Sequence, residues 1–425
     1  MINQESLDAL AAARIDQHHI RPLYADYSFA QIPQTLRRCL GVSTRAGVPF
    51  GQRDDLYQTY DAVVLLFIDA FGWRFVEQYA ERAPFLRRFL DQGMLATITA
   101  QFPSTTAAHV TTIHTGMTCG QSGVFEWFYY EPQLDTIIAP LLFSYAGDSE
   151  RNTLKGSGAD PAVLFPRQTL YHELSRHEVD SFVFHHHTYA HSPFSKQVTA
   201  GARVVPYKTL PEAIVNLGRV LERRQRRTYV YLYFDAIDAT CHTYGPDSPQ
   251  LAAEIELFLL AAEHLLMPAL ARAPGHTLLL QTADHGQTAL DPATAIYLNQ
   301  RVPELTGLLR TSRSGRPLVP AGSSRDMFLY VRDEQLAEAQ GLLAHALAGQ
   351  ADVVRTSELI AQGFFGTTTP SPEFMGRVGN LVILPHQGQA VWWYEQGRFA
   401  QKFYGSHGGL TRDEMETVLL ALPLG

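Results

Sequence analysis

Four places in the chain carry residue types that can hold a metal ion. Asp69 closes the apolar run Ala62–Asp69, Asp238 and His242 lie four apart in DATCH, Asp284 and His285 are adjacent in ADHG, and His407 sits in GSHGG. Carboxylate oxygen and neutral imidazole nitrogen are donors that zinc and manganese accept without thiolate. Six such groups suffice for two ions with three protein ligands each. An acid and a histidine four apart reach one ion from a single helical turn or a turn-like loop. Adjacent Asp284 and His285 reach one ion only if the backbone bends, which Gly286 permits. Taken singly, each residue has a plainer use: Asp69 as a helix cap or solvated acid, His242 and His407 as surface or hydrogen-bonded core histidines. Their recurrence at successive strand ends is what points to a metal centre.

A reaction at such a centre needs a nucleophile, and Phe102–Gly116, FPSTTAAHVTTIHTG, offers two hydroxyls. Thr105 and Thr106 follow Pro103 and precede a run of small residues, so both stand at a helix N-terminus, where backbone N–H groups attract anions. An ordinary threonine cap looks the same. Coordination to a divalent cation removes the hydroxyl proton without a separate base and so activates a weak nucleophile. Aromatic residues cluster nearby in sequence: Phe71 and Trp73 after Asp69, then Phe125, Trp127, Tyr129 and Tyr130. Such rings either pack a core or stack on a base. Phe71, Trp127 and Tyr129 are the candidate substrate contacts.

The elements that must position these residues follow one grammar. Ala62–Asp69 is short, β-branched and apolar up to its final acid, as expected of a strand buried on both faces of a parallel sheet. Thr228–Asp238 repeats the pattern after a helical stretch, Leu210–Arg226, and His276–Gly286 repeats it after another, Gln250–Ala273. Helix-then-buried-strand units specify an α/β protein. The expected architecture is a three-layer α/β/α sandwich around a mostly parallel sheet, with its ligand site beyond the carboxyl ends of the strands. Residues 1–55 read as a polar lead-in packed on the core, and 56–425 as the catalytic domain. From about 124 to 207, irregular spacing and the triplet His185, His186 and His187 predict a cap inserted over the sheet. In a strand only His185 and His187 share a face, so a substrate-facing or solvated segment is expected there rather than a third metal site. Strands at Met327–Val331 and Leu381–Pro385, a helix at Glu334–Ala348 and an aromatic segment at Val391–Tyr394 complete the chain.

Composition bounds the function. The 425 residues are 46% hydrophobic, which excludes general disorder, and 34 Lys+Arg against 42 Asp+Glu leave a net charge of −8. Such a chain has no broad surface for nucleic acid or an anionic membrane. It can still take a polyanion where a bound metal reverses the local field. Three scattered cysteines, Cys39, Cys119 and Cys241, exclude a disulfide framework and a Cys-rich zinc site. No apolar run approaches the roughly 20 residues of a membrane span. The start lacks the features of a secretory signal, and a cytoplasmic protein is expected.

Asp69 after a strand, PSTT with its following TG, DATCHTYGP, ADHG and SHGG occur in this order between about Ala62 and Gly409. Together they resemble the alkaline phosphatase superfamily, and within it the type I phosphodiesterase/nucleotide pyrophosphatase branch. The resemblance implies Thr106 as the nucleophile, one ion held by Asp69, Asp284 and His285, and the other by Asp238, His242 and His407. It implies two divalent ions, zinc or else manganese, and in-line displacement at phosphorus through a covalent phospho- or nucleotidyl-threonine. One position departs from the branch: Trp127, following Glu126, stands where an asparagine commonly steadies a phosphate oxygen. Another donor, such as the Thr106 backbone N–H or a cap histidine, must serve, or the substrate sits differently. Monoesterases of the superfamily add an arginine clamp or a further cation, and no Arg or Lys occurs from Thr106 to Trp127. A small-molecule diester or pyrophosphate, such as a nucleotide, is therefore the expected substrate. A phosphomonoesterase or phosphonate hydrolase on the same scaffold is the competing reading. A catalytically silent phospho-ligand-binding protein is a third, against which the complete ligand set argues.

Overall fold

Seven strands form the central sheet of the computed structural model, which describes residues 1–425. In chain order they are β1 (Ala62–Ile68), β2 (Met94–Thr99), β3 (Asp180–His186), β4 (Arg203–Tyr207), β5 (Thr228–Phe234), β6 (Thr277–Thr282) and β7 (Glu416–Leu424). Across the sheet the order is β2-β7-β6-β1-β5-β3-β4, with β7 antiparallel to both neighbours and every other pair parallel. The central strand, β1, is buried along its whole length. Its side chains divide between two cores: Val63, Leu65 and Phe67 on one face, Ala62, Val64, Leu66 and Ile68 on the other. A strand covered on both sides has no polar face, which is why the sequence shows an unbroken apolar run instead of alternation.

Helices cover both faces and give three layers. Ile32–Cys39, Thr106–Thr115 (α1) and Leu170–Arg176 pack on the first face, while Leu210–Glu222, Ala236–Tyr244 (α2) and Pro249–Ala261 pack on the second. Residues 1–55 place Phe29, Ile32, Leu36 and Cys39 in the first core, and Ile2 and Ser28 bridge Leu95 and Thr99 of the edge strand β2. A separate antiparallel sheet joins Met327–Leu329, Leu381–Pro385 and Ala351–Arg355.

The stretch read from sequence as a cap, about 124–207, is divided. Tyr129–Glu131, Thr136–Ala139 and Ser144–Tyr145 make a small antiparallel sheet outside the central one. The later part supplies β3 and β4, which extend the central sheet beyond β5. The strand β3, DSFVFHH, opens on polar residues and ends in histidines, so it shows neither an apolar run nor a clean period of two. Thr228–Asp238 is likewise not one strand, because β5 ends at Phe234 and Asp238 lies in the first turn of α2. No helix is long and apolar enough to cross a membrane, and all three cysteines are free and buried.

Candidate active site

All six predicted ligands meet beyond the carboxyl ends of β1, β5 and β6. Asp69 follows β1, and the next residue, Ala70, has φ 61°, a left-handed conformation that costs energy for a residue with a Cβ. That turn points the Ala70 N–H at Asp284 Oδ1, 3.1 Å away, tying the ends of β1 and β6 together. Asp238 and His242 share one face of α2, with His242 Nε2 3.4 Å from Asp238 Oδ2. His407 comes from the loop after Gly405–Ser406, which pairs with Thr288–Ala289 just beyond His285. Gly286 is needed for a different reason from the one read in sequence. A Cβ there would lie 2.1 Å from the Asp413 carbonyl oxygen, so close approach and not a left-handed bend excludes a side chain.

His285 sits at the junction. Its Nε2 is 3.3 Å from Asp284 Oδ2, 3.6 Å from Asp69 Oδ1 and 3.2 Å from Thr106 Oγ1, and its ring stacks on His407 with centroids 3.6 Å apart. Two trios have ligand atoms within 4.8 Å of one another, Asp69/Asp284/His285 and Asp238/His285/His407. His285 belongs to both, and His242 adjoins the second through Asp238.

The orientation of each histidine is set by its Nδ1. His242 Nδ1 donates to the Gly405 carbonyl at 2.8 Å, His407 Nδ1 to Ser104 at 2.9 Å and His285 Nδ1 to Gly286 at 3.1 Å. With Nδ1 so engaged, each ring turns its Nε2 to the site. Burial holds His285 and His407 well below the usual histidine range. Burial also raises the Asp69 and Asp284 carboxyls, Asp69 further by its acidic neighbours Asp284 and Asp238, and pushes Asp238 up to about 6. Asp69 Oδ1 and Asp284 Oδ2 are buried without any donor. Buried acids lacking donors beside imidazoles that resist protonation fit divalent cations.

The two threonines divide their roles. Thr105 caps α1: its hydroxyl accepts from Ala108 N and donates to the Phe125 carbonyl at 2.9 Å. Thr106, the first residue of α1, is part-exposed and directs Oγ1 toward His285. Two cavities, of about 420 and 380 Å³, share Thr106, Trp127, Asp238, His242 and Phe403 as walls. Arg151 and His185 line the first; Arg398 and Lys402 line the second.

Of the predicted substrate contacts, Trp127 alone lines these cavities, with 39% of its surface exposed. Phe71 packs on Phe75 and Phe258 in the second-face core, and Tyr129 is buried against Phe125 beneath Arg377. Both are neighbours of site residues in sequence, and both are turned away from the site by the local chain path. From the histidine triplet, His185 is buried and reaches the first cavity, while His187 is exposed.

Sequence reasoning missed the residues that hold the ligands. The Tyr233 hydroxyl donates to Asp69 Oδ2, and Gln287 Nε2 donates to Asp238 Oδ1. The signal for Tyr233 was present: Tyr229, Tyr231 and Tyr233 place hydroxyls at period two in a strand that is otherwise apolar after Thr228. Arg325 and Glu414, fully buried, form two parallel hydrogen bonds of 3.0 and 2.9 Å, and Glu414 accepts from Gly409 N at the end of the His407 loop. Tyr233→Phe leaves Asp69 Oδ2 without its donor. Metal affinity, measured by titration against a competing chelator, is expected to fall about 10- to 100-fold, as when a group that orients a metal ligand is removed.

Sequence and fold together define a phosphoester hydrolase. The family model of the type I phosphodiesterase/nucleotide pyrophosphatase matches residues 63–410, and the chain belongs to that metal-dependent family. Murine ectonucleotide pyrophosphatase/phosphodiesterase 5 has a similar structure, with TM-score 0.63 and 16% identity over 85% of this chain and 87% of that one. An inactive threonine-to-alanine variant of the murine protein, in complex with AMP, superposes equally well. Phosphonoacetate hydrolase from Sinorhizobium meliloti 1021, in complex with phosphonoacetate, gives TM-score 0.60 and 16% identity over 84% of this chain and 89% of that one. At such identity the likeness is one of fold. No curated protein sequence matches significantly.

Proposed function

We propose that the protein hydrolyses phosphodiester or pyrophosphate bonds with Thr106 as nucleophile. In this reading Asp69, Asp284 and His285 hold one divalent cation and Asp238, His242 and His407 a second, zinc or manganese. The observation that carries it is the Thr106 hydroxyl, 3.2 Å from the imidazole nitrogen common to both ligand trios. When bound, the cations acidify that hydroxyl and offset the charge of the phosphate oxygens. Thr106 Oγ attacks phosphorus, the ester oxygen opposite departs, and a phosphoryl-threonine remains until water attacks the same phosphorus. Thr105 takes the Ala108 N–H, which leaves the Thr106 and Ala107 N–H groups free at the first turn of α1 to donate to a phosphate oxygen. These amides occupy the role that the branch commonly gives to an asparagine.

The two cavities favour a diester. Each lobe opens on Thr106 and Asp238, and Trp127 and Phe403 stand between them, so a phosphate at Thr106 can send one substituent into each. A monoester would fill one lobe at most. Arg151 on one side, with Arg398 and Lys402 on the other, offers counter-charge to a further phosphate. The test compares bis-p-nitrophenyl phosphate, p-nitrophenyl phosphate and phosphonoacetate with metal-replete protein. At least a 10-fold higher kcat/KM for the diester is expected. A preference for either of the others would overturn the reading, and no turnover of any would favour a binding protein. Trp127→Ala removes the stacking surface between the lobes. It is expected to raise KM for an aryl or nucleotide diester about 5- to 100-fold, from stacking of roughly 1–3 kcal/mol, with a smaller change in kcat.

A further inference from the structure

Glu126 and Asp326 come from distant parts of the chain and are both fully buried; Gly322 N donates to the Phe128 carbonyl at 2.7 Å, which joins their segments and sets the two carboxyl groups side by side. Their oxygens can be accounted for one by one. Asp326 Oδ1 accepts from the Ser323 hydroxyl at 2.6 Å and from Ser323 N at 3.1 Å. Glu126 Oε2 accepts from Trp127 N. The remaining two, Glu126 Oε1 and Asp326 Oδ2, are buried with no hydrogen-bond partner. Two carboxylates in contact inside a protein cannot both stay ionised without a counter-charge. A single proton between Oε1 and Oδ2 supplies the missing donor and satisfies all four oxygens.

The pair stands between the backbone that holds the nucleophile and the loop that presents His407. On one side, the carbonyl of Phe125, the residue before Glu126, accepts from Thr105, the cap of α1. On the other, Ser323 Oγ lies 3.1 Å from the His407 carbonyl oxygen. A Cβ on Gly408 would meet Ser323 Oγ at 2.5 Å and Asp326 Oδ1 at 2.6 Å, so the acid rests directly on the backbone after His407. We propose that Glu126 and Asp326 are positioning residues that share one proton as a clip, fixing the His407 loop relative to Thr106. This inference rests on the roles given above to Thr106 and His407.

The surroundings set when the clip opens. Burial pushes Glu126 up to about 8, and burial with the nearby Glu126 carboxyl raises Asp326 well above the usual range. Neither acid has an ion pair. Arg325, next in the chain, is committed to Glu414, and Arg398 pairs with Glu395. Lys402, Asp238, His242 and His407 share the second cavity with Glu126, and none of them forms an ion pair with either acid. An acid whose folded-state pKa lies above its unfolded value contributes its full stabilisation below the unfolded value and loses it progressively as pH rises to the folded value, where the proton leaves the folded protein. The clip therefore holds at neutral pH and opens on the alkaline side.

Glu126→Gln provides the test, because its amide donates permanently to Asp326 Oδ2. At pH 7 this variant is expected to keep diester turnover within about threefold of wild type, while Glu126→Ala loses at least 10-fold. As pH rises from about 4.5, the ordinary glutamate value, to about 8 the wild-type thermal midpoint should fall, and kcat/KM should fall as pH passes about 8; Glu126→Gln, with no carboxyl proton to lose there, should show smaller declines in both. Unchanged declines in Glu126→Gln would overturn the proposal. So would a loss of one equivalent of bound divalent cation relative to wild type, since the pair would then hold a metal and not a proton. The thermal comparison needs no turnover. It therefore tests the clip even if the wild type fails to hydrolyse diesters, a failure that would count against the catalytic reading instead.

Discussion

Thr106→Ala is expected to lower kcat/KM for a diester on the order of 10⁴-fold or more while leaving the metal content of the protein unchanged, as removal of a covalent nucleophile does. The size of the effect follows from the absence of a substitute. Thr106 Oγ1 is the hydroxyl that faces His285, and its neighbour Thr105 is turned away to cap α1 and to donate to Phe125. The proposed ligand set comes from acids and histidines on other elements, so losing the Thr106 side chain removes none of it. Thr106→Ser keeps the hydroxyl and should retain measurable turnover. Thr105→Ala is the matching control: it removes a cap and should cost about 1 kcal/mol of stability, measured by denaturant unfolding, without abolishing the reaction. Equal loss of turnover in the two alanine variants would count against the division of roles.

Asp284→Asn is the second large effect. Asp284 is fully buried, its Oδ1 accepts from Ala70 N and His285 N, both at 3.1 Å, and its Oδ2 has no donor. Asparagine preserves the shape and the acceptor for Ala70 but removes the charge and places an amide where Oδ2 faces His285. Elemental analysis should show about one equivalent of metal fewer than wild type, with at least a 10³-fold loss of turnover. Chelation of the wild type should have the same consequence, reversed by zinc or manganese. The acid cluster also fixes the pH dependence of this rescue. Asp69, Asp238 and Asp284 all have folded-state pKa values raised by burial, Asp238 to about 6. Without metal their contribution to stability is present below about pH 4 and is lost as pH rises through the folded values. Added metal should therefore raise the thermal midpoint more at pH 7.5 than at pH 5.

What could be read from the sequence was set by how locally each feature is encoded. β1 announces itself because both its faces are buried, and the ligands sit at element ends where an acid interrupts an apolar run, so strand and ligand are visible in one window. The spacing in DATCH is a helical turn, and α2 realises it as one. Strand β3, one in from the edge strand β4, mixes polar residues into a partly covered surface and so reads in sequence as part of a cap. Phe71 and Tyr129 show the converse error: nearness in sequence to Asp69 and Thr106 says nothing about the direction of a ring, and both rings went to the core. The pairings that steady the site could not be read, even where, as for Tyr233, the strand showed a periodic hydroxyl. Tyr233 with Asp69, Arg325 with Glu414 and Glu126 with Asp326 are partners only once the sheet has formed, and no periodicity relates their positions.

The stereochemical course at phosphorus tests the central claim most directly. Hydrolysis of a chiral phosphorothioate diester in isotopically labelled water by metal-replete protein should proceed with retention, because attack by Thr106 and then by water inverts phosphorus twice. Net inversion would mean that water attacks the substrate directly, and Thr106 would not be the nucleophile.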